Sequence, residues 1–295
     1  MKKFLVINTS FFGDILLTGA LCRNIKMAFP DSYIVFIANK PFVDAARYLD
    51  GVDEALAYDK NVVHRGLKGA FRFYQQYKYN FSDGFSAAFV IYGNERGIIL
   101  SRLFGAEKIY AENNSLIKLL LSNKKINYHG FSRVQERNSI LLEQYTHVPV
   151  QNLPMLYDPP LDAYESARHM LESAGLASND KFICLCTVSK KIEKDMPIST
   201  CAELIDSFHD TYYRVLLLGA GGRAAEYSQQ LKKCTVDYID LINKTSIPQL
   251  AAVLKLSAGL ISVDTGTMHL GLAVNTPVTA LFYINDAGHI AKWGP

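Results

Sequence analysis

The chain reads as an α/β protein of two domains, each organised on a parallel sheet. Three observations carry that reading. In both halves, short apolar and β-branched runs alternate with segments of helical period. Between the halves, Pro149 to Pro160 is extended, proline-bearing sequence with no period of its own, and it divides the chain into domains over 1–155 and 156–295. A length of 295 residues is also enough for two buried cores.

Composition narrows the class. Hydrophobic residues at 49% and charged residues at 20% describe an ordinary globular protein. A net charge of +3 is too small to argue for a nucleic acid partner, but it suits work beside an anionic membrane surface. The five cysteines (Cys22, Cys184, Cys186, Cys201 and Cys234) are odd in number and lack metal-site spacing. A reduced, cytoplasmic protein without a disulfide framework is expected. The apolar run at Phe4 to Ile7 is too short for a signal peptide, and no stretch is long enough to span a bilayer.

In the first half, Phe4 to Ile7 is a buried strand, followed by a loop over 8–13. Asp14 opens a helix carrying Ile15, Leu17, Leu21, Ile25 and Ala28 at apolar positions, and Phe29-Pro30 closes it. The strand Tyr33 to Ala38 completes a βαβ unit, whose ligands bind at the carboxyl ends of the strands. Neither Gly-x-Gly-x-x-Gly nor a Walker string is present, so a dinucleotide or P-loop reading has no support. Further on come a helix over Phe42 to Tyr48, a strand over Val52 to Tyr58, and a basic, aromatic segment from His64 to Tyr79. That segment, with Arg65, Lys68, Arg72 and Lys78, is first of all a solvated amphipathic helix; the functional alternative is a surface for anionic lipid or a phosphorylated sugar. Phe85 to Tyr92 reads as a strand, 93–97 as a loop, Ile98 to Phe104 as a helix, and Asn113 to Gly130 as an irregular basic excursion with Lys118, Lys124, Lys125 and His129. Val134 to Thr146 is helical.

In the second half, helix Asp162 to Ser173 leads to strand Phe182 to Cys186, a lysine-rich loop over 187–197 and helix Ile198 to Phe208. A strand, a polar loop with lysines and a helix N-terminus make an anion-binding arrangement. Strand Tyr213 to Leu218 ends in Gly219-Ala220-Gly221-Gly222, a turn that lets backbone approach a ligand closely. After helix Gln249 to Lys255 comes strand Gly259 to Val263, the small or polar residues Asp264 to Thr267, a short helix from Met268 to Val274, and strand Val278 to Phe282. The turn places backbone N–H groups and two hydroxyls at a helix start, where the macrodipole favours phosphate. Read as structure alone, Asp14 and Asp264 are helix caps and His269 fills a packing position.

Two strings go further. Asp264-Thr265-Gly266-Thr267-Met268-His269-Leu270, followed by Ala273-Val274-Asn275-Thr276-Pro277-Val278, resembles the C-terminal signature of glycosyltransferase family 9, the bacterial lipopolysaccharide heptosyltransferases. Asn8-Thr9-Ser10-Phe11-Phe12-Gly13-Asp14 resembles that family's N-terminal motif, in which Gly-Asp follows the first strand. The chain departs from the family at Gly19, often proline there, at Met196 in place of Trp in Lys194-Asp195-Met196-Pro197, and at Arg223, where relatives carry an acid.

The resemblance implies a GT-B architecture, two Rossmann-like domains with an acceptor-binding N-terminal half and a nucleotide-sugar-binding C-terminal half. It implies an inverting, metal-independent glycosyltransferase that needs no cofactor and moves heptose from ADP-heptose onto a lipopolysaccharide core or other surface glycan, at the periphery of the inner membrane. By the same resemblance Asp14 is the general base, and Lys194 (with Lys190 and Lys191 as alternates), Thr265, Gly266, Thr267, Met268 and His269 hold the donor diphosphate. Asp264 takes the donor sugar; Gly219, Glu226, Lys244 and Thr245 lie toward the nucleoside; Gly13, Asn94 and Arg96 lie on the acceptor side. A carboxylate is ordinarily ionised at neutral pH and can accept the acceptor's proton where geometry allows. An epimerase or hydrolase on this scaffold would need further acids or His around the sugar. The alternative from another class is a catalytically silent nucleotide-sugar-binding or assembly protein. The altered lysine loop, Arg223 and the end of the chain at Trp293-Gly294-Pro295, where family members continue with a further helix, favour it; the presence of both Asp14 and Asp264 opposes it.

Overall fold

In the computed structural model the chain forms two compact units, Met1–Leu156 and Tyr157–Pro295. The structure describes residues 1–93, 95–112, 124–126, 133–235, 237–283 and 287–294. In the first unit, strands β1 (Lys3–Asn8), β2 (Tyr33–Asn39), β3 (Glu54–Tyr58), β4 (Ala87–Val90), β5 (Ile109–Glu112) and β6 (Lys124–Ile126) form one sheet in the order β3-β2-β1-β4-β5-β6. Every pairing is parallel. Both faces are covered, so Phe4, Leu5, Val6 and Ile7 are all buried and the strand is a continuous apolar run without alternation. Leu5, Ile7, Val35 and Ile37 pack against Phe73, Phe81 and Phe85 in one cluster. Phe4 and Phe89 meet Tyr145 edge to face.

The second unit repeats the design with β7 (Lys181–Cys186), β8 (Tyr213–Leu218), β9 (Ile239–Asp240), β10 (Gly259–Val263) and β11 (Val278–Leu281), again all parallel, in the order β11-β10-β7-β8-β9. In each sheet the order reverses beside the unit's first strand, between β1 and β4 and between β7 and β10. The connections that leave the two strands flanking a reversal diverge and open a crevice at the carboxyl edge, where open α/β sheets bind ligands. The described loops that follow these four strands therefore define where to look.

Several elements differ from the sequence expectations. The helix expected from Asp14 onward is two helices, Phe12–Leu16 and Gly19–Ala28. Thr18 breaks it by donating its hydroxyl to the Asp14 carbonyl at 2.9 Å, a local bond that competes with helix propagation. Gly19 is thus at a helix start, and a Cβ there would come within 2.9 Å of the Leu49 side chain and 3.3 Å of Met155 Cβ; close packing, more than helix propensity, accounts for the glycine. The strand expected to reach Tyr92 stops at Val90, because Tyr92 adopts left-handed φ 57°, ψ 11°. The following helix begins at Glu95, so Arg96 is in its first turn, not in a loop. Within the excursion expected to be irregular, Lys124–Ile126 is a strand held by pairing with β5. The helix Gly266–Ala273 starts two residues before the expected Met268, and a further helix, Ala287–Trp293, follows β11.

Candidate active site

At the β1/β4 reversal the loop after β1 carries Asp14 and the turn after β4 carries Tyr92. Asn8, the last residue of β1 and fully buried, donates Nδ2 to the Asp14 carbonyl at 3.0 Å and to Thr18 Oγ1 at 2.9 Å, while its Oδ1 accepts the Ser10 N–H at 3.0 Å. This network fixes the backbone of Asp14. Its carboxylate is held at both oxygens: Tyr92 Oη donates to Oδ1 at 2.6 Å, and the Phe11 N–H reaches Oδ2 at 3.3 Å. The second bond is the helix-cap role the residue plays locally. The first joins two strands that are neighbours only after folding, and it requires Tyr92 to occupy a conformation that costs a non-glycine residue about 1–2 kcal/mol. Such strain is characteristically retained at functional sites. The guanidinium of Arg137 lies over the Tyr92 ring, 5.4 Å from its centroid. Among the acceptor-side candidates, Gly13 lies within the helix Phe12–Leu16 that presents Asp14, Arg96 is half-buried, and Asn94 lies outside the described residues.

At the β7/β10 reversal a different set assembles. Asp264, directly after β10, receives Lys194 Nζ in a short ion pair, and His289 Nε2 lies 2.7 Å from the same Oδ2. Lys194 Nζ and His289 Nε2 are 3.3 Å apart. Burial pushes the Asp264 carboxyl upward, but the hydrogen bonds from Lys194 and His289 outweigh it and hold the group below its ordinary value. Lys194 is the half-buried lysine of its loop, whereas Lys190 and Lys191 are exposed.

The helix Gly266–Ala273 follows without a side-chain cap. Thr265 spends its hydroxyl on Ser262 Oγ at 3.3 Å and Cys186 Sγ at 3.8 Å. The first-turn N–H groups of this helix thus receive no hydroxyl from their own cap, the condition for anion binding. Met268 is fully buried, so only its backbone can meet a ligand; its side chain is core. His269 is 4% exposed, and its Nδ1 has no hydrogen-bond partner among the described residues. Burial lowers its pKa from 6.5 to about 4, with Asp264 pulling the other way, so the ring is neutral at pH 7.

Two of the departures from the family's pattern, at 196 and 223, meet at the lysine loop. Arg223, on the helix after β8, forms an ion pair with Asp195 and donates to the carbonyls of Ser189 at 2.9 Å and Lys190 at 3.1 Å. Asp195 Oδ1 accepts the Ser189 N–H at 2.7 Å. Met196 is buried, and Tyr227 Oη donates to its carbonyl at 2.9 Å. The basic side chain at 223 is therefore a staple for the lysine loop that presents Lys194. Of the nucleoside-side candidates, Glu226 is exposed and Lys244 donates to the Asp240 carbonyl at 2.7 Å. Gly219 accepts the Asn243 N–H at 2.9 Å, and Asn243 Oδ1 in turn accepts the Gly221 N–H at 2.6 Å, which ties the glycine turn to the segment before Thr245.

Tyr92, Arg223 and His289 are the site residues that sequence reasoning missed. A cavity of about 620 Å³ lies elsewhere: it is lined by Lys2, Phe29, Lys108 and Tyr145, and Lys2 and Lys108 immediately precede β1 and β5, at the edge opposite Asp14. Cys22, Cys184, Cys186 and Cys201 are buried free thiols, and burial raises Cys184 to about 12, so these thiols are inert packing groups.

Comparison with known proteins identifies the family and the fold. The sequence profile of the family described as glycosyltransferase family 9 (heptosyltransferase) matches residues 87–295, and the chain belongs to that family. It is a glycosyltransferase. Lipopolysaccharide heptosyltransferase 3 of Escherichia coli is 24% identical over 292 residues, 97% of this chain and 84% of the relative. A family 9 glycosyl transferase from Veillonella parvula superposes with TM-score 0.89 at 22% identity, over 100% of this chain and 84% of that one. The E. coli ADP-heptose lps heptosyltransferase II superposes with TM-score 0.79 at 18% identity, over 97% of this chain and 86% of that one. Two parallel α/β units of this order and these likenesses establish the GT-B fold.

Proposed function

We propose that this glycosyltransferase moves heptose from ADP-heptose onto a lipopolysaccharide glycan by a single inverting displacement. The observation that carries the reading is the position of Asp14: a carboxylate fixed at the switch point of the first sheet, with a hydroxyl donor on one oxygen. Asp14 takes the proton from an acceptor hydroxyl as its oxygen attacks the anomeric carbon of the donor. The bond from that carbon to the diphosphate breaks on the opposite face, and the nucleoside diphosphate leaves with the electron pair. The leaving group's charge falls to the second unit, where the uncapped N–H groups at Gly266, Thr267 and Met268 and the ammonium of Lys194 stabilise it in place of a metal cation. Asp264 exchanges part of its contact with Lys194 for hydroxyls of the donor sugar. Among the described residues no three His, Cys, Asp or Glu side chains gather as a ligand set.

The names of the relatives support heptose, adenosine diphosphate and lipopolysaccharide as the reacting groups, and a lipid-linked acceptor brings the reaction to a membrane surface. Among the described residues no helix is long and apolar enough to cross a membrane. The test is a donor screen by calorimetry, offering ADP-heptose beside UDP-, GDP- and CMP-sugars, with transfer to a core glycan measured in EDTA. Binding of ADP-heptose above the others, with transfer undiminished by the chelator, is expected. Absence of any nucleotide-sugar binding would favour the silent-scaffold alternative, and loss of transfer in EDTA would sink metal independence.

A further inference from the structure

We propose that the ridge formed by the β3–β4 connection, centred on the helix Gly66–Tyr77, is the surface by which the protein sits on an anionic bilayer. It rests on the reading above that the acceptor is a lipid-linked glycan. Charge comes first. Residues 60–82 hold Lys60, Arg65, Lys68, Arg72 and Lys78 and no Asp or Glu. A run of one sign is common on solvated helices, but this one is interleaved with apolar side chains that the core does not cover. Gly69, Ala70 and Phe73 turn inward, while Leu67 is 64% exposed and Phe71 51%. These two are one helical turn apart on the same face. Val62, in the turn before the helix, is 76% exposed, and Tyr79, just after it, is 81% exposed. Arg72 Nη1 reaches the Val63 carbonyl at 3.4 Å, which keeps the turn beside the helix. An apolar ridge bordered by arginine and lysine is the pattern of a helix lying in the plane of a membrane interface: the hydrocarbon groups enter the acyl boundary and the long basic side chains reach phosphate headgroups.

Position strengthens the assignment. β1 and β3 run parallel, so the loops after Asn8 and Tyr58 emerge at one edge of the sheet. Lys60, in the second loop, donates to the Thr9 carbonyl at 2.6 Å and lies 5.8 Å from the ring centroid of Phe11, which is itself 54% exposed. The ridge is thereby continuous with the loop that delivers Asp14. A membrane seated on it would place lipid-linked sugars at the edge where the base stands. A second copy of the chain is a poorer occupant, because an isologous contact would set this cationic ridge against itself.

Flotation with vesicles tests the surface without any reaction. Neutral phosphatidylcholine vesicles are compared with vesicles in which part of the lipid is phosphatidylglycerol, at low and high salt. Wild type should partition onto the anionic vesicles roughly tenfold or more above the neutral ones, and salt should weaken the partitioning. The pair Lys68→Glu and Arg72→Glu should remove most of that binding. The pair Leu67→Ser and Phe71→Ser should lower it about tenfold while the melting temperature stays near wild type, because both side chains are solvent-facing. Equal partitioning onto both vesicles, or unchanged binding by both double variants, overturns the proposal. So does a wild-type dimer in light scattering that these variants dissociate, which would make a second copy the occupant. Transfer to a lipid-free core fragment is measured in parallel. Vesicle binding with no transfer by wild type counts against the acceptor proposed above and leaves the surface assignment standing; transfer without vesicle binding does the reverse.

Discussion

At the β1/β4 end of the first unit a carboxylate meets a neutral hydroxyl, whereas at the β7/β10 end of the second a carboxylate meets an ammonium and an imidazole. The strand order is the same, and an aspartate stands in the segment after the strand at each place, Asp14 in the helix Phe12–Leu16 and Asp264 directly after β10. What differs is the partner, and the partner decides the chemistry. A hydroxyl on one oxygen of Asp14 orients the group and brings no positive charge to it. Lys194 on Asp264 balances its charge in a preassembled cation–anion pair, which in the proposed reaction would give its cation to the diphosphate and its anion to sugar hydroxyls. Duplicated topology supplies two equivalent crevices; the side chains that meet there suit one to the proton acceptor and the other to the anion receptor of the proposed reaction.

Exchanging each aspartate for its amide would sharpen this contrast most. Asp14→Asn should lower kcat by about 10³-fold or more, the upper range for loss of a general base, with donor affinity within twofold of wild type. Asp264→Asn should act mainly on donor binding and on stability, since Lys194 and His289 would lose their shared anion. Calorimetric donor titration beside steady-state kinetics separates the two. If both amides weaken donor binding alike and leave kcat alone, the division of labour is wrong.

Acidification should weaken the second unit more steeply than a simple surface titration would. His269 is held at about 4 in the folded protein against 6.5 when exposed. Between these values the unfolded chain binds a proton that the folded one does not. Its stabilising contribution is therefore complete above 6.5 and shrinks as pH falls, by about 2 kcal/mol at pH 5. Asp264 acts lower: its depressed carboxyl contributes above the ordinary value of 3.8 and loses that contribution as pH falls through the folded one. His64 in the first unit shifts downward as well, through burial first. Trp293 is the single tryptophan and belongs to the second unit, so its fluorescence follows the unfolding of that unit. A tryptophan-monitored melting midpoint that is the same at pH 7 and pH 5 would contradict the assignment of His269.

Replacing Lys194 by Ala should reduce donor affinity about 10- to 100-fold, the range for removing one partner of a partly buried charge pair at a binding site. Arg223→Ala should reproduce a smaller part of that loss, because it removes the ion pair to Asp195 and the two bonds to the loop carbonyls without touching the ammonium itself. Equal effects of the two changes would mean that Arg223 contacts the donor directly.

Asp14 and Asp264 were legible because each follows an apolar strand inside a string long enough to resemble a family signature. Lys194 was legible through the resemblance of Lys194-Asp195-Met196-Pro197 to the family's motif, although its engagement with Asp264 was not. Arg223 was visible only as an anomaly: its partners lie on the loop after β7, and that loop is its neighbour only once β7 and β8 are paired. His289 follows the last strand by several residues and belongs to a helix with no amphipathic signature of its own. Gly19 read as a weakness in a helix and proved to be a packing requirement, since Leu49 and Met155 approach from distant sequence. The strand at Lys124–Ile126 has two lysines and one apolar residue, so pairing with β5, and not local propensity, makes it extended. Periodicity reports burial and local backbone preference; it carries no information about which loop ends meet.

Tyr92 is the smallest predicted effect and the most demanding test of the comparison. Tyr92→Phe keeps the ring near Arg137 and leaves the left-handed backbone as it is, and it removes only the hydroxyl on Asp14 Oδ1. A neutral donor to a charged acceptor contributes on the order of 1.5 kcal/mol, so kcat should fall about tenfold with the donor KM unchanged. A structural role would give a similar loss, and a double-mutant cycle distinguishes the two. In the Asp14→Asn background the hydroxyl has no carboxylate to orient, so adding Tyr92→Phe should change kcat by less than about twofold. If the second substitution still costs tenfold there, Tyr92 supports something other than the base. If Tyr92→Phe is silent on its own, the strained turn after β4 must be explained by packing, and the two switch points differ less than their side chains suggest.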